Sequence, residues 1–324
     1  MIDYEKVLII IPCYKATGMI NDVIYDLIDC KFKHIIVVDD CCPENSSKNI
    51  TSKIVSIIKN KNNLGVGGAY MEGFKHVNNN KKFESFDFIA KIDADGQHNA
   101  HDLRLMLNDI IEYDLDMVKG NRYLLQRSPK NQSFIRKIGN SFLTLLTKIA
   151  SGNWLLGDPV NGQFIIRKNV FRLLFDGGSL KNRFLFETSL LLGCCQFRAK
   201  VRDCPNSITY GDEISSLSIF KSFFQFSIYL LSSTINRIIN QYFYPSINFG
   251  SILIIFAIIF LSAGTVSGFN ALSKSFSTGI GTEFGLISII LLMILIGVIS
   301  LFGFFIIDQS ESNRERPPIH RYLK

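Results

Sequence analysis

Charge is scarce in this 324-residue chain, at 19% of residues against roughly a quarter in ordinary soluble proteins, while 47% of its residues are hydrophobic. From Ile238 to Ser273 there is no Asp, Glu, Lys or Arg at all, which excludes one uniform soluble globule. The apolar content equally excludes a disordered chain. The basic residues leave a net charge of +7 and a pI near 9.0, yet they are dispersed and form no stripe interleaved with aromatics. This argues against a nucleic-acid partner and for an anionic membrane surface or phosphate-bearing substrates. The seven cysteines include two vicinal pairs and no C-x-x-C spacing, so neither a disulfide framework nor a zinc site is expected. The stretch Met1 to Lys6 lacks the basic region and long apolar core of a signal peptide, so the first two hundred residues are expected to stay in the cytosol.

Long apolar runs are present, and they come late. Residues 249–269 and 284–307 each reach the roughly 20 mostly apolar residues that cross a bilayer, and neither has a polar face. The connection 270–283 carries one Lys and one Glu, whereas the tail after Asp308 holds Arg314, Arg316, Arg321 and Lys324. The positive-inside rule then places the tail, and with two spans the N-terminal domain, on the cytosolic side of the inner (plasma) membrane. Ahead of the first span, residues 218–245 mix Phe220, Phe223, Phe224, Phe226 and Tyr229 with Lys221 and Arg237. They read as amphipathic helices along the membrane interface or, alternatively, as an amphipathic helix packed on the soluble domain. The expected organisation is a domain over 1–217, a juxtamembrane segment over 218–245, and two spans with a tail over 246–324.

The first two hundred residues alternate short apolar runs (Val7 to Ile11, His34 to Val38, Ile54 to Ile58, Phe86 to Ile92) with helical patterns at Gly18 to Asp29, Gly67 to His76 and Ala100 to Glu112. An α/β fold with a mostly parallel sheet follows, and ligands should then bind beyond the carboxyl ends of the strands. Pro12-Cys13-Tyr14, Asp39-Asp40 and Asp93-Ala94-Asp95-Gly96-Gln97-His98 occupy three such ends. Two aspartates in a D-x-D turn, with Gln97 as a third oxygen, suit Mg²⁺ or Mn²⁺, although solvated turn aspartates show the same pattern. Gly65, Gly67 and Gly68 open a helix; they either admit an anion to its N-terminus or allow tight helix–strand packing.

IPCY at Ile11 to Tyr14, VVDDCCPENS at Val37 to Ser46, NLGVGGA at Asn63 to Ala69 and KIDADGQH at Lys91 to His98 resemble glycosyltransferase family 2, in its dolichyl- and polyprenyl-phosphate sugar synthase branch. The resemblance continues through GNR at Gly120 to Arg122, NGQFIIRK at Asn161 to Lys168, FLFET at Phe184 to Thr188 and YGDEISSL at Tyr210 to Leu217. It implies a GT-A nucleotide-diphospho-sugar domain followed by interface helices and two transmembrane helices. Pro12, Tyr14 and Asp40 would hold base and ribose, with Gly67 nearby; Asp93, Ala94 and Asp95 would lie along the diphosphate, and Asp95 with Gln97 would bind the metal. Lys15-Ala16 departs from the Asn-Glu often found after that Tyr, which leaves UDP and GDP donors open. Ser215-Ser216-Leu217 stands where relatives have Ser-Lys-Leu.

A lipid phosphate is already an anion near neutral pH, so as acceptor it needs cations to position it rather than a base. Arg122 and Arg136-Lys137 are the candidates, with Asn140 one turn beyond Arg136 as a hydrogen-bond donor; Arg136 alternatively reads as part of a solvated helix face. Glu187 is either a catalytic carboxylate for a hydroxyl acceptor or a structural one paired to an arginine such as Arg183. His98 and His101 read as surface turn residues or as further metal contacts, and Trp154 and Asp158 either border the acceptor mouth or pack a loop. The first reading is a membrane-bound inverting enzyme that moves a sugar from a nucleotide donor to polyprenyl phosphate, with room for a homo-oligomer. Extension of a lipid-linked oligosaccharide is the second, and a non-catalytic membrane scaffold the third.

Overall fold

The computed structural model describes residues 3–124, 134–207, 219–244, 246–312 and 317–323. Strand β1 (Val7–Cys13) is buried along all seven residues, the signature of a strand covered on both faces. It pairs in parallel with β2 (His34–Asp39) and β4 (Phe88–Lys91), and β2 pairs with β3 (Val55–Lys59) at the sheet edge. Odd and even residues of β1 enter different cores. Val7, Ile9 and Ile11 pack with α1 (Ile20–Asp29) and α3 (Ala100–Glu112), whereas Leu8 and Ile10 pack with Ala69, Tyr70 and Phe74 of α2 (Gly65–Asn78). The apolar positions Ile20, Val23, Ile24 and Leu27 sit on one face of α1, so the sequence period alone aims that helix at the sheet.

Beyond β4 the sheet continues with β6 (Phe164–Arg167), β5 (Met117–Asn121) and β7 (Val201–Pro205), in the order β3-β2-β1-β4-β6-β5-β7. Strand β6 is antiparallel to both neighbours, with Phe164 opposite Lys91 on one side and Lys119 on the other; all other pairings are parallel. The mostly parallel expectation therefore holds with one exception. Because β6 runs backwards, the loop that feeds it starts at the end where β4 and β5 leave the sheet. Helices α4 (Phe134–Ser151), α5 (Lys168–Asp176), α6 (Phe186–Gln196) and α7 (Ile219–Ile238) follow the chain.

The chain divides into two compact units. One comprises Met1–Ser151, Leu155–Ser233 and Glu315–Lys324, and the other Gly152–Trp154 and Thr234–Arg314. Within the first, Leu143, Leu146 and Ala150 of α4 pack with Leu192 of α6 and with Tyr229 and Leu230 of α7. Ile138, Phe142 and Leu145 of α4 and Phe224, Ile228 and Leu231 of α7 remain exposed at helical spacing. The tail also belongs to this unit. The buried Asp116 carboxylate accepts the backbone N–H groups of Ile319 and His320, each at 2.9 Å, and lies 2.7 Å from His320 Nδ1, while Asp114 meets His320 Nε2 at 3.1 Å and pairs with Arg321.

The second unit is built on α8 (Phe249–Thr278) and α9 (Phe284–Ser312), both long and apolar enough to cross a membrane. They form an antiparallel hairpin in which a Cβ on Gly264 would meet Ile294 at 2.8 Å and one on Gly297 would meet Leu261 at 2.7 Å. Such glycines let the two helix backbones approach closely. Arg237 grips Asp308 through two N–H bonds of 2.6 and 3.1 Å, and Tyr242 Oη and Trp154 Nε1 donate to the same carboxylate at 2.7 and 3.2 Å. Trp154 is thus a packing residue of this unit.

Candidate active site

Strand ends β1, β2, β4 and β5 and the loop before β6 converge, and each contributes side chains. Pro12 lies inside β1 opposite Val38. Tyr14 follows the strand, 46% exposed, with the Lys15 ammonium 5.7 Å from its ring centre. An exposed aromatic at a strand end offers a stacking face. Asp39 shapes the next loop by accepting from Cys42 N at 2.9 Å and from Ser47 Oγ. Asp40, expected at the nucleoside, is turned into the protein: its oxygens accept from Asn60 Nδ2 at 2.8 Å, Leu64 N at 2.9 Å and Gly65 N at 2.7 Å. Its carboxylate caps the loop that starts α2.

Gly67 packs tightly against the start of α6. A Cβ there would lie 2.4 Å from Phe186 Cβ and 3.0 Å from the Lys181 carbonyl, so the missing side chain admits the start of α6.

The D-x-D turn hangs from the end of β4. Asp95 Oδ1 accepts the N–H of Gln97 at 3.0 Å across Gly96, whose φ is 70°, and Ala94 is buried between the aspartates. Asp93 is part-exposed. Its Oδ1 lies 2.5 Å from Nζ of Lys91, a fully buried lysine that also reaches Glu187 Oε1 at 3.1 Å and the Gly162 carbonyl at 3.1 Å. Burial alone would lower the Lys91 pKa, but Asp93 and Glu187 outweigh it and hold the ammonium charged well above its ordinary value. Burial raises Glu187, with Lys91 opposing. Glu187 therefore pairs with Lys91, and the expected Arg183 instead packs on Gly65.

His98, read as a surface turn residue or a further metal contact, is buried. Its Nε2 is 3.7 Å from Asp93 and its Nδ1 is 3.4 Å from Asn206 Nδ2. Burial pushes its pKa down to about 4, so the ring is neutral near pH 7. His101 is exposed at the start of α3, where its N–H donates to Asn99 Oδ1 at 2.8 Å.

At the end of β5, Arg122 is clasped by Asp158. The carboxylate accepts from Arg122 N at 3.1 Å, Nε at 2.7 Å and Nη2 at 2.5 Å. Burial would raise the Asp158 pKa, but the Arg122 guanidinium holds it below the usual carboxylate range. Lys119 secures the same loop through the carbonyls of Gly157 at 2.6 Å and Asp158 at 3.0 Å, and it pairs with Asp203 at 3.1 Å. Asn140 of α4 donates to Tyr123 Oη at 3.1 Å, next to Arg122. The side chain of Arg136, like the segment Tyr210 to Leu217, lies outside the described residues.

A family model for glycosyl transferase family 2 matches residues 8–175. The chain belongs to that family. A UDP-N-acetylglucosamine–dolichyl-phosphate N-acetylglucosaminyltransferase of Methanococcus voltae is 29% identical over 189 residues, covering 52% of this chain and 72% of the relative. An uncharacterized protein of Methanocaldococcus jannaschii is 27% identical over 212 residues, covering 65% and 84%. Among solved structures, the glucosyl-3-phosphoglycerate synthase of Mycobacterium tuberculosis in complex with Mn²⁺, UDP and phosphoglyceric acid superposes with a TM-score of 0.52 at 12% identity, over 72% of this chain and 78% of that one. That likeness shows the GT-A fold. The protein is a nucleotide-sugar glycosyltransferase.

In this glycosyltransferase no group of three or more His, Cys, Asp or Glu is placed to hold a cation among the described residues. The donor set nonetheless fits a hard divalent ion. Asp95 and Gln97 present part-exposed oxygens at a strand's carboxyl end, and Mg²⁺ commonly takes one or two carboxylates and fills its shell with water and substrate phosphate. Lys91, Lys119, Asn161, Gln163, Asp203 and Asn206 were not among the sequence candidates. The available signal was a lysine inside each of two largely buried strands, FIAKI and MVKGN, because a cation buried there must have partners.

Proposed function

We propose that the enzyme transfers a sugar from a UDP-linked donor, with N-acetylglucosamine as the first sugar to test, onto the phosphate of a polyprenyl lipid. The observation that carries this reading is the Lys91–Glu187 pair at 3.1 Å. A hydroxyl acceptor needs a proton acceptor, and the carboxylate best placed to serve is buried and bound to an ammonium. A lipid phosphate needs none. Its oxygen attacks the anomeric carbon while the bond from that carbon to the diphosphate breaks and UDP leaves with the electron pair, which inverts the configuration. Mg²⁺ or Mn²⁺, held by Asp95 and Gln97, would supply positive charge at the departing diphosphate. Tyr14 offers the nucleoside its exposed ring, and Arg122, fixed by Asp158, faces the acceptor phosphate with Asn140 and Arg136 on the neighbouring helix.

Two apolar helices, the exposed stripes of α4 and α7, and a basic tail support a membrane-bound enzyme with its catalytic unit on the cytosolic side. The M. voltae relative acts by its name on dolichyl phosphate, an acceptor of the same chemistry. The test is a radiolabelled screen of UDP- and GDP-sugars against undecaprenyl phosphate, with extraction of product into organic solvent, on the parent and on Glu187→Gln. The expected product is a monophosphate-linked sugar, with the variant within about tenfold of the parent. A loss of about two to four orders of magnitude in the variant, the contribution of a general base, together with a parent active only on glycosylated lipids, would transfer the case to oligosaccharide extension.

A further inference from the structure

The charges around the D-x-D turn do not balance without Lys91. Asp93, Asp95 and Glu187 bring three negative charges, and Lys91 brings one positive, so the cluster carries two. That sum matches a single divalent cation. The geometry is equally economical. An ammonium has three donors, and those of Lys91 go to Asp93 at 2.5 Å, Glu187 at 3.1 Å and the Gly162 carbonyl at 3.1 Å. These partners come from the β4 exit, the start of α6 and the loop before β6, three segments far apart in sequence. The fit leaves no slack, because a Cβ on Gly162 would lie 2.2 Å from Asp93 Oδ2 and 3.0 Å from Lys91 Nζ.

We propose that Lys91 is a positioning residue of the donor site, which holds Asp93 and Glu187 as a shared ion cluster so that Asp93 meets the nucleotide sugar in one orientation and the cluster's charge matches one divalent cation. Lys91 is fully buried. It acts through the two carboxylates. Of these, Asp93 is part-exposed toward the ligand, and Asp95 two residues on is left as the carboxylate for the cation. The inference rests on the donor reading proposed above.

The experiment is a double-mutant cycle on the full chain in detergent micelles, read as the dissociation constant of UDP with excess Mg²⁺ and as the melting temperature. Lys91→Met keeps the length of the side chain and removes the charge, leaving a cluster of three negative charges. UDP binding should weaken by about tenfold or more, the factor that 1.4 kcal/mol represents. Glu187→Gln leaves Lys91 paired with Asp93 but takes the cluster one charge below two, and should weaken UDP binding by less than Lys91→Met does. In Lys91→Met/Glu187→Gln the charge returns to two, and both UDP affinity and melting temperature should recover relative to Lys91→Met alone. A residue that only fills space would show additive effects. A double variant no more stable and no better at binding UDP than Lys91→Met would overturn the proposal. A parent that binds no UDP with Mg²⁺ would overturn the donor reading and this inference with it.

Discussion

Replacing Asp158 by Asn tests the acceptor side of the site. The two residues have nearly the same shape, so the change is one of charge. The carboxylate accepts four hydrogen bonds, from Arg122 N, Nε and Nη2 and from Asn161 Nδ2, and its side chain is 1% exposed against 14% for Arg122. Removing one partner of a buried ion pair costs about 3–5 kcal/mol, because the other charge stays buried without compensation. The lower figure applies here, since the guanidinium retains some access to water. For a unit of this size each kcal/mol moves the melting temperature by about 2–4 °C, so Asp158→Asn should melt about 6–12 °C below the parent. The apparent affinity for lipid acceptor should fall about tenfold or more while UDP binding holds. The folded Asp158 pKa is depressed, so the pair's contribution is complete above the unfolded value of about 4 and is lost only as pH falls through the lower folded value. Melting followed by circular dichroism at pH 7 therefore reads the full effect. The double variant Asp158→Asn/Arg122→Ala should be no less stable than Asp158→Asn. A single variant that melts within 2 °C of the parent, with unchanged acceptor kinetics, would refute the reasoning.

Three further outcomes follow from the geometry. Since His98 has a folded pKa of about 4 against about 6.5 unfolded, its contribution is full above pH 6.5 and falls as the pH drops toward 4. Urea unfolding in EDTA should lose about 2 kcal/mol between pH 7.5 and pH 5 on this account, and an identical slope in His98→Gln would count against it. His320→Ala removes the ring that lies between Asp114 and Asp116, so amide exchange across residues 319–323 should accelerate; unchanged protection would show that the backbone bonds to Asp116 suffice. Asp95→Asn should leave the protein folded and abolish transfer, as EDTA should in the parent, with Mg²⁺ or Mn²⁺ restoring the parent only. Activity within twofold of the parent would contradict the metal assignment.

The strands and the residues at their ends were legible because burial on both faces writes itself as unbroken apolar runs, as in Val7 to Ile11 and His34 to Val38. The direction of β6 was not. Phe164 to Arg167 carries the same apolar pattern whichever way it runs, and only its neighbours in space decide. Polar networks were similarly hidden. Asp158 and Arg122 are 36 positions apart, Lys91 and Gly162 are 71 apart, and Asn121 and Asp203 are 82 apart, so no local pattern records their pairing. Glycines carry a local signal with two meanings, anion binding and helix packing, and the contact of Gly67 with Phe186 shows only the second. His98 misled because a histidine in a turn motif is ordinarily solvated, whereas here Asn206 and Asp93 close over it.

The reversed strand also constrains how the protein is made. During synthesis β1 to β5 emerge before β6, and until Phe164–Arg167 inserts, the open sides of β4 and β5 present unpaired backbone. Lys91 and Lys119 meanwhile lack the carbonyls of residues 157–162 that receive them. Pairing of this kind closes long loops and is slow, and open sheet edges recruit other chains. A nascent chain halted near residue 160 would be a strongly aggregation-prone species, and one extended past residue 205, with β7 added, would have every strand of the sheet in place before either apolar helix has left the ribosome.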